Sequence, residues 1–163
     1  LEGIGEIQDW ARHGSDWAQI EKNIKQVDKL ANVHVSVKHT IQAPTFIGFP
    51  SLLTWCQDNR IPLVLGVVKK PEYLSLKALP VSIRDRVFEN LKKLDESNNG
   101  SMSFDDLDSD TMNYQNIKDL FSETKFDPKL YNELKNYVQV FDTQKQKEKK
   151  LIDIYPEIFE HDQ

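Results

Sequence analysis

The chain has 163 residues, of which 39% are hydrophobic and 29% charged, and its formal net charge is −5. That size supports one domain with a real core and argues against whole-chain disorder, while the single cysteine, Cys56, excludes an intramolecular disulfide framework, a paired-cysteine metal knuckle and any iron–sulfur cluster held by this chain alone. Cysteine scarcity points to a reducing, cytoplasmic compartment, no apolar run reaches the about 20 residues of a membrane span, and no basic surplus marks a nucleic-acid partner.

Leu1-Glu2-Gly3-Ile4-Gly5 reads as the end of a strand already in progress, so the chain is expected to be part of a longer protein. A short amphipathic piece around Trp10 follows, and Ser15 and Asp16 offer caps for the next helix. Trp17, Ile20, Ile24, Val27 and Ala31 recur at helical spacing and predict one amphipathic helix. From Val33 to Gln42 the period falls to two. Val33, Val35, Val37 and Ile41 point one way with His39, and His34, Ser36, Lys38, Thr40 and Gln42 point the other. After the Ala43-Pro44-Thr45 break, Phe49, Leu52, Leu53 and Cys56 form the buried stripe of a second helix, which Arg60-Ile61-Pro62 ends. Leu63-Val64-Leu65-Gly66-Val67-Val68 is a continuous apolar run of strand length, as expected of a parallel strand covered on both faces.

Strand, helix and strand in that order predict a right-handed βαβ unit, and residues 1–3 would add another parallel strand. The polar face of 33–42 then looks into solvent or into the lumen of a β/α barrel. Beyond Pro80 the pattern is helix after helix. The stripes are Ile83, Val87, Leu91 and Leu94; then Tyr114, Ile117 and Phe121; then Leu130, Leu134, Tyr137 or Val138, and Phe141, with Asp127 capping Pro128. Lys145, Lys147, Lys149 and Lys150 read as a solvated helix face, and the apolar tail from Ile152 to Phe159 as a segment that packs back on the body. The fold class expected is therefore α/β. Residues 1–80 would form a partial, half β/α barrel of about three parallel strands, and residues 81–163 a helical C-terminal extension.

Two polar clusters carry candidate chemistry. Between Asp95 and Asp106, oxygen-bearing Asp95, Ser97, Asn99, Ser101 and Asp106 take the spacing of a calcium loop, with Gly100 at the sharp turn and Met102 apolar at the eighth position. Asp106 replaces the usual bidentate glutamate, and the same composition suits a polar linker between helices. This is the basis of an alternative reading as a calcium-binding regulatory or interaction module. In the second cluster, His34, Lys38 and Gln42 share a face and could converge on an anion or a substrate carbonyl, or could form an exposed sheet face. Cys56, on an apolar stripe, reads as a buried inert thiol.

Leu1-Glu2-Gly3-Ile4-Gly5, followed by Arg12-His13-Gly14, Trp17 and Asn23-Ile24, resembles the segment after the fourth strand in certain radical S-adenosylmethionine proteins. The likeness continues in order through Thr40-Ile41-Gln42, Pro71-Glu72-Tyr73-Leu74-Ser75 with Leu79-Pro80, Phe141-Asp142, and Ile152-Asp153-Ile154-Tyr155-Pro156-Glu157. In that family a CxxxCxxC loop holds a 4Fe–4S cluster that reductively cleaves S-adenosylmethionine to a deoxyadenosyl radical. The resemblance implies that this chain is the cluster-free C-terminal half, which shapes the cofactor and substrate cavity and is not catalytic alone. It places Glu2 near the ribose hydroxyls, lines the lumen with Ser36, Lys38, Thr40 and Gln42 on the cofactor side, and turns His34 toward the substrate. S-adenosylmethionine and the cluster are implied for the full-length family only, and no resident cofactor for this chain. The expected partner is the missing N-terminal half, or a second copy joined through an open sheet edge as a dimer.

Overall fold

A computed structural model describes residues 1–97, 103–106, 112–122, 124–144 and 149–160. Helix α1 spans Glu6–Ala11 and α2 spans Trp17–Val27. Asp16 caps α2 by accepting from the Gln19 amide at 3.2 Å. Trp17 and Ile24 of α2 pack half-buried against the core, but Val27 and Ala31, which continue the predicted stripe, are exposed.

Strand β1 is Val37–Ile41 and β2 is Leu63–Val67, paired in parallel from Val37 opposite Leu63 to Ile41 opposite Val67. Between them run a 3-10 segment, Ala43–Gly48, and helix α3, Phe49–Asp58. Helix α4, Val81–Ser97, follows two short 3-10 turns and packs against α3. Strands β3, Ser103–Asp106, and β4, Met112–Asn113, complete a sheet of order β1-β2-β3-β4. Helices α5, Tyr114–Ser122, α6, Pro128–Gln144, and α7, Leu151–Ile154, and a last 3-10 turn over Pro156–Ile158 finish the described chain.

This arrangement corrects the half-barrel expectation. Among the described residues only β1 and β2 pair in parallel along their length. Residues 1–3 form no strand: the Leu1 amine donates to the Lys38 carbonyl at 2.8 Å, but no ladder develops beside β1. Nor does residue 33–36 join the strand, since no neighbouring backbone continues the pairing there. A further strand does reach β2, but from the region expected to be wholly helical. It pairs in parallel at Val64 with Asp105 and Leu65 with Asp106, and antiparallel with β4 on its other side. An antiparallel edge of this kind ends the strand-helix repeat that a barrel needs in order to curve and close.

The core lies on one face of the β1–β2 pair. Val37, His39 and Ile41 are buried while Lys38 and Thr40 are exposed. The His39 ring stacks on Phe49 at 5.3 Å, and Phe49 on Phe46 at 6.4 Å. Phe46 in turn meets Phe88 of α4 at 5.8 Å and Phe121 of α5 at 6.3 Å. Each fully buried phenylalanine contributes about 1.5–3 kcal/mol of transfer free energy, so this row joins the sheet, α3, α4 and α5 as one core.

A second aromatic row runs from Trp10 to Phe141 at 5.0 Å, to Tyr137 at 5.5 Å and to Tyr73 at 5.4 Å, tying α1 and α6 to the loop after β2. Asp142 extends this seam, accepting from the Trp10 indole at 2.6 Å and from the Leu151 amide at 3.2 Å. Leu151 and Ile158 are fully buried, and the Tyr131 hydroxyl donates to the Ile158 carbonyl at 2.7 Å, so the tail is packed on the body.

Gly48 lies against Tyr155 of the tail. A Cβ there would lie 2.4 Å from the Tyr155 hydroxyl oxygen. Gly48→Ala is expected to cost about 1–3 kcal/mol through overpacking, measured by urea unfolding. Adding Tyr155→Phe removes the clashing oxygen and should recover part of that loss; a double variant no more stable than Gly48→Ala contradicts this account of the contact.

Candidate functional site

At the carboxyl end of β1, Gln42 leaves the strand and donates through Nε2 to Glu2 Oε2 at 2.7 Å. Arg12, just past α1, donates to Glu2 Oε1 at 2.7 Å. The Glu2 side chain is only 14% exposed, and its backbone amide is held by the buried Gln8 carboxamide at 2.8 Å. The carboxylate is thus fixed in position by one donor on each oxygen, with lone pairs left for a ligand hydroxyl. Tyr137 lies close by. Burial first, and then Tyr73 and the negative charge of Glu2, push its phenol above the ordinary range.

Of the residues singled out from sequence, the structure brings Glu2 and Gln42 together. Lys38 and Thr40 are on the exposed face of β1, opposite Val64 and Gly66 of β2, which are half-exposed, whereas the charge of Glu2 acts on His39 and Tyr137 on the covered side. His34 and Ser36 are exposed on the segment leading into β1, outside the strand. The β1–β2 pair therefore has one face under the helices and one polar face open, whereas parallel strands are ordinarily covered on both. Sequence reasoning quoted Arg12 within a motif without giving it a role, and it missed Gln8 and Tyr137. A buried glutamine on an amphipathic helix leaves no periodic signal, and Tyr137 reads as one more member of an apolar stripe.

Asp95 and Ser97 occupy the last turn of α4, where the Ser97 hydroxyl donates to the Leu94 carbonyl at 2.8 Å. Asn99 and Ser101 lie outside the described residues, and Asp106 falls on β3 instead of at the start of a helix. Among the described residues no cluster of His, Cys, Asp or Glu is arranged to hold a metal ion. Cys56 is buried, and burial pushes its thiol up to about 12, which removes the thiolate a nucleophile needs. No helix among the described residues is long and apolar enough to cross a membrane.

Among the described residues His39 is the one histidine in the core, 2% exposed. Its Nδ1 lies 2.9 Å from the Leu1 carbonyl oxygen, which assigns the proton to Nδ1, and its buried Nε2 has no partner. Burial pushes the imidazole down to about 4 from its ordinary 6.5, against the opposing pull of the Leu1 carbonyl and Glu2. Between those values the unfolded chain binds a proton that the folded chain refuses, so stability is complete above pH 6.5 and falls as the pH drops to about 4. The loss attributable to His39 is about 3 kcal/mol across that window. Comparing the pH dependence of urea unfolding for the parent and His39→Gln isolates it: the variant should lack this slope, and equal slopes would refute it. Comparison of the chain with protein-family models, curated proteins and solved structures finds no match.

Proposed function

We propose that the open face of β1 and β2, bounded by Glu2 and Gln42, forms one wall of a cavity for S-adenosylmethionine and its substrate. The observation that carries this reading is a fixed, largely shielded carboxylate at the carboxyl end of β1, held by Gln42 and Arg12. Open α/β sheets bind ligands beyond those strand ends. The ordered motifs that resemble radical S-adenosylmethionine proteins support the choice of ligand. In this reading Glu2 accepts from the ribose hydroxyls, Gln42 and Arg12 hold Glu2 in place, and Lys38, Thr40, Ser36 and His34 line the cavity toward cofactor and substrate.

The remaining wall and the cluster come from another polypeptide segment, since a cluster cannot be held by Cys56 alone. The chain by itself contributes binding and shape, and performs no radical chemistry. A second copy placed on the outer edge of β1 is the competing assembly, and sedimentation of the purified chain distinguishes a self-paired dimer from a monomer awaiting its other half.

Titrating the isotope-labelled chain with S-adenosylmethionine tests the binding role. Saturable shifts are expected at the amides of Glu2, Lys38, Thr40 and Gln42, with Glu2→Gln weakening binding about tenfold through loss of a charge-assisted hydrogen bond. Absence of saturable shifts at millimolar ligand, or shifts confined to other regions, overturns it.

A further inference from the structure

The carboxyl end of β2 opens into a cavity of about 310 Å³ whose polar lining is Lys69, Glu72, Ser75, Lys77 and Thr124. Val67, Leu76 and Phe121 form its apolar side. An adjoining recess of about 480 Å³ shares Lys77 and Thr124 and adds Lys125 and Asp127. The carboxylate of Asp127 is already engaged as the cap of α6, accepting from the amides of Lys129 at 2.9 Å and Leu130 at 3.4 Å.

Arg84 of α4 is bonded to the same place. It is 5% exposed, its Nη1 donates to the Thr124 carbonyl at 2.6 Å, and its buried Nε has no acceptor. Among the described residues no carboxylate lies within ion-pair distance of Arg84, Lys69, Lys77 or Lys125. Among the described residues the two recesses set Lys69, Lys77 and Lys125 against Glu72 and Asp127, and Asp127 is committed to its helix cap. Among the described residues Arg84 has the charge of neighbouring Asp85 but no ion pair, and an anion in the adjoining cavity adds a further favourable charge to a largely buried guanidinium. Lysine ammonium groups act as point charges suited to a phosphate approached from several sides, whereas a planar carboxylate is best matched by a guanidinium fork, and that of Arg84 is turned to a backbone carbonyl.

We propose that these joined cavities bind a small phosphorylated organic molecule, with its phosphate on Lys77 between Lys69 and Lys125 and its apolar part against Val67, Leu76 and Phe121. The volume suits a compact ligand, and the mixture of an apolar wall with a few convergent charges is the usual make-up of such a site. The site is separate from Glu2 and Gln42 and does not depend on what binds there.

Phenyl phosphate is the probe, titrated into the whole isotope-labelled chain, with phenol and sodium chloride of matched ionic strength as controls. Saturable shifts are expected at the amides of residues 67–77 and 124–127, with those of Glu2 and Gln42 unmoved. Lys77→Gln should weaken binding about tenfold, as loss of one charged contact does, without moving the urea midpoint, because the Lys77 side chain is exposed. Lys69→Gln, on the exposed segment after β2, should weaken it in the same direction. Non-saturating shifts, equal shifts from sodium chloride, or parental affinity in both variants would overturn the proposal.

Discussion

Everything else in this fold is arranged around the two-residue alternation of β1. Val37, His39 and Ile41 face the helices, and Lys38 and Thr40 face away. A slip of one residue against β2 would bury a lysine and expose Ile41, so the register is strongly specified. Once it is set, His39 meets Phe49 at the start of α3, and the ring row through Phe46 to Phe88 and Phe121 positions α4 and α5 in turn. The histidine within that row is stabilised by stacking and by the Leu1 carbonyl, although its Nε2 is left without a partner. Such a residue lends the core a sensitivity to acid that a phenylalanine there would lack.

The carboxyl ends of β1 and β2 carry different sets of side chains. Beyond β1 stands a carboxylate held by Gln42 and Arg12; beyond β2 stand Lys69 and Lys77, with Arg84 bonded to Thr124. Neighbouring parallel strands thus deliver their loops to chemically different sites at the same end of the sheet. This separation follows from topology: each strand ends in its own crossover, and each crossover brings a different set of side chains.

Much of the helical half was legible in the sequence because burial there follows spacing. The stripes through Ile83, Val87 and Leu91, and through Leu130, Leu134 and Val138, are buried as periodicity requires. The facing of β1, including the placement of His39 with the valines, was legible for the same reason. Pairing was not. Whether residues 1–3 or 33–36 form strands depends on backbone partners distant in sequence, and nothing in their side chains encodes those partners. Ser103-Phe104-Asp105-Asp106 is a strand despite two aspartates, which are disfavoured in strands, because β2 offers it an edge. At the candidate site, Glu2 and Gln42 are 40 residues apart: the alternation of β1 singled out Gln42, Glu2 was named only through a family resemblance, and no spacing links the two. Lys69, Lys77, Lys125 and Arg84 come from separate segments with no shared period, so only the folded chain reveals them as neighbours.

Asp142 ties together parts of the chain that are far apart in sequence. One of its partners, Trp10, is 132 positions away, and the other, Leu151, is nine positions away in the opposite direction. Glu6 and Lys149 form an ion pair across the same seam, and α1 packs on α7. Opening α7 therefore withdraws support from α1, and displacement of α1 withdraws support from α7, so the two ends of the described chain form one cooperative unit of local unfolding. Because Gln8 of α1 holds the Glu2 backbone, that unit also includes the candidate site. A load applied at the tail would reach Glu2 through α1, without any change in the sheet itself.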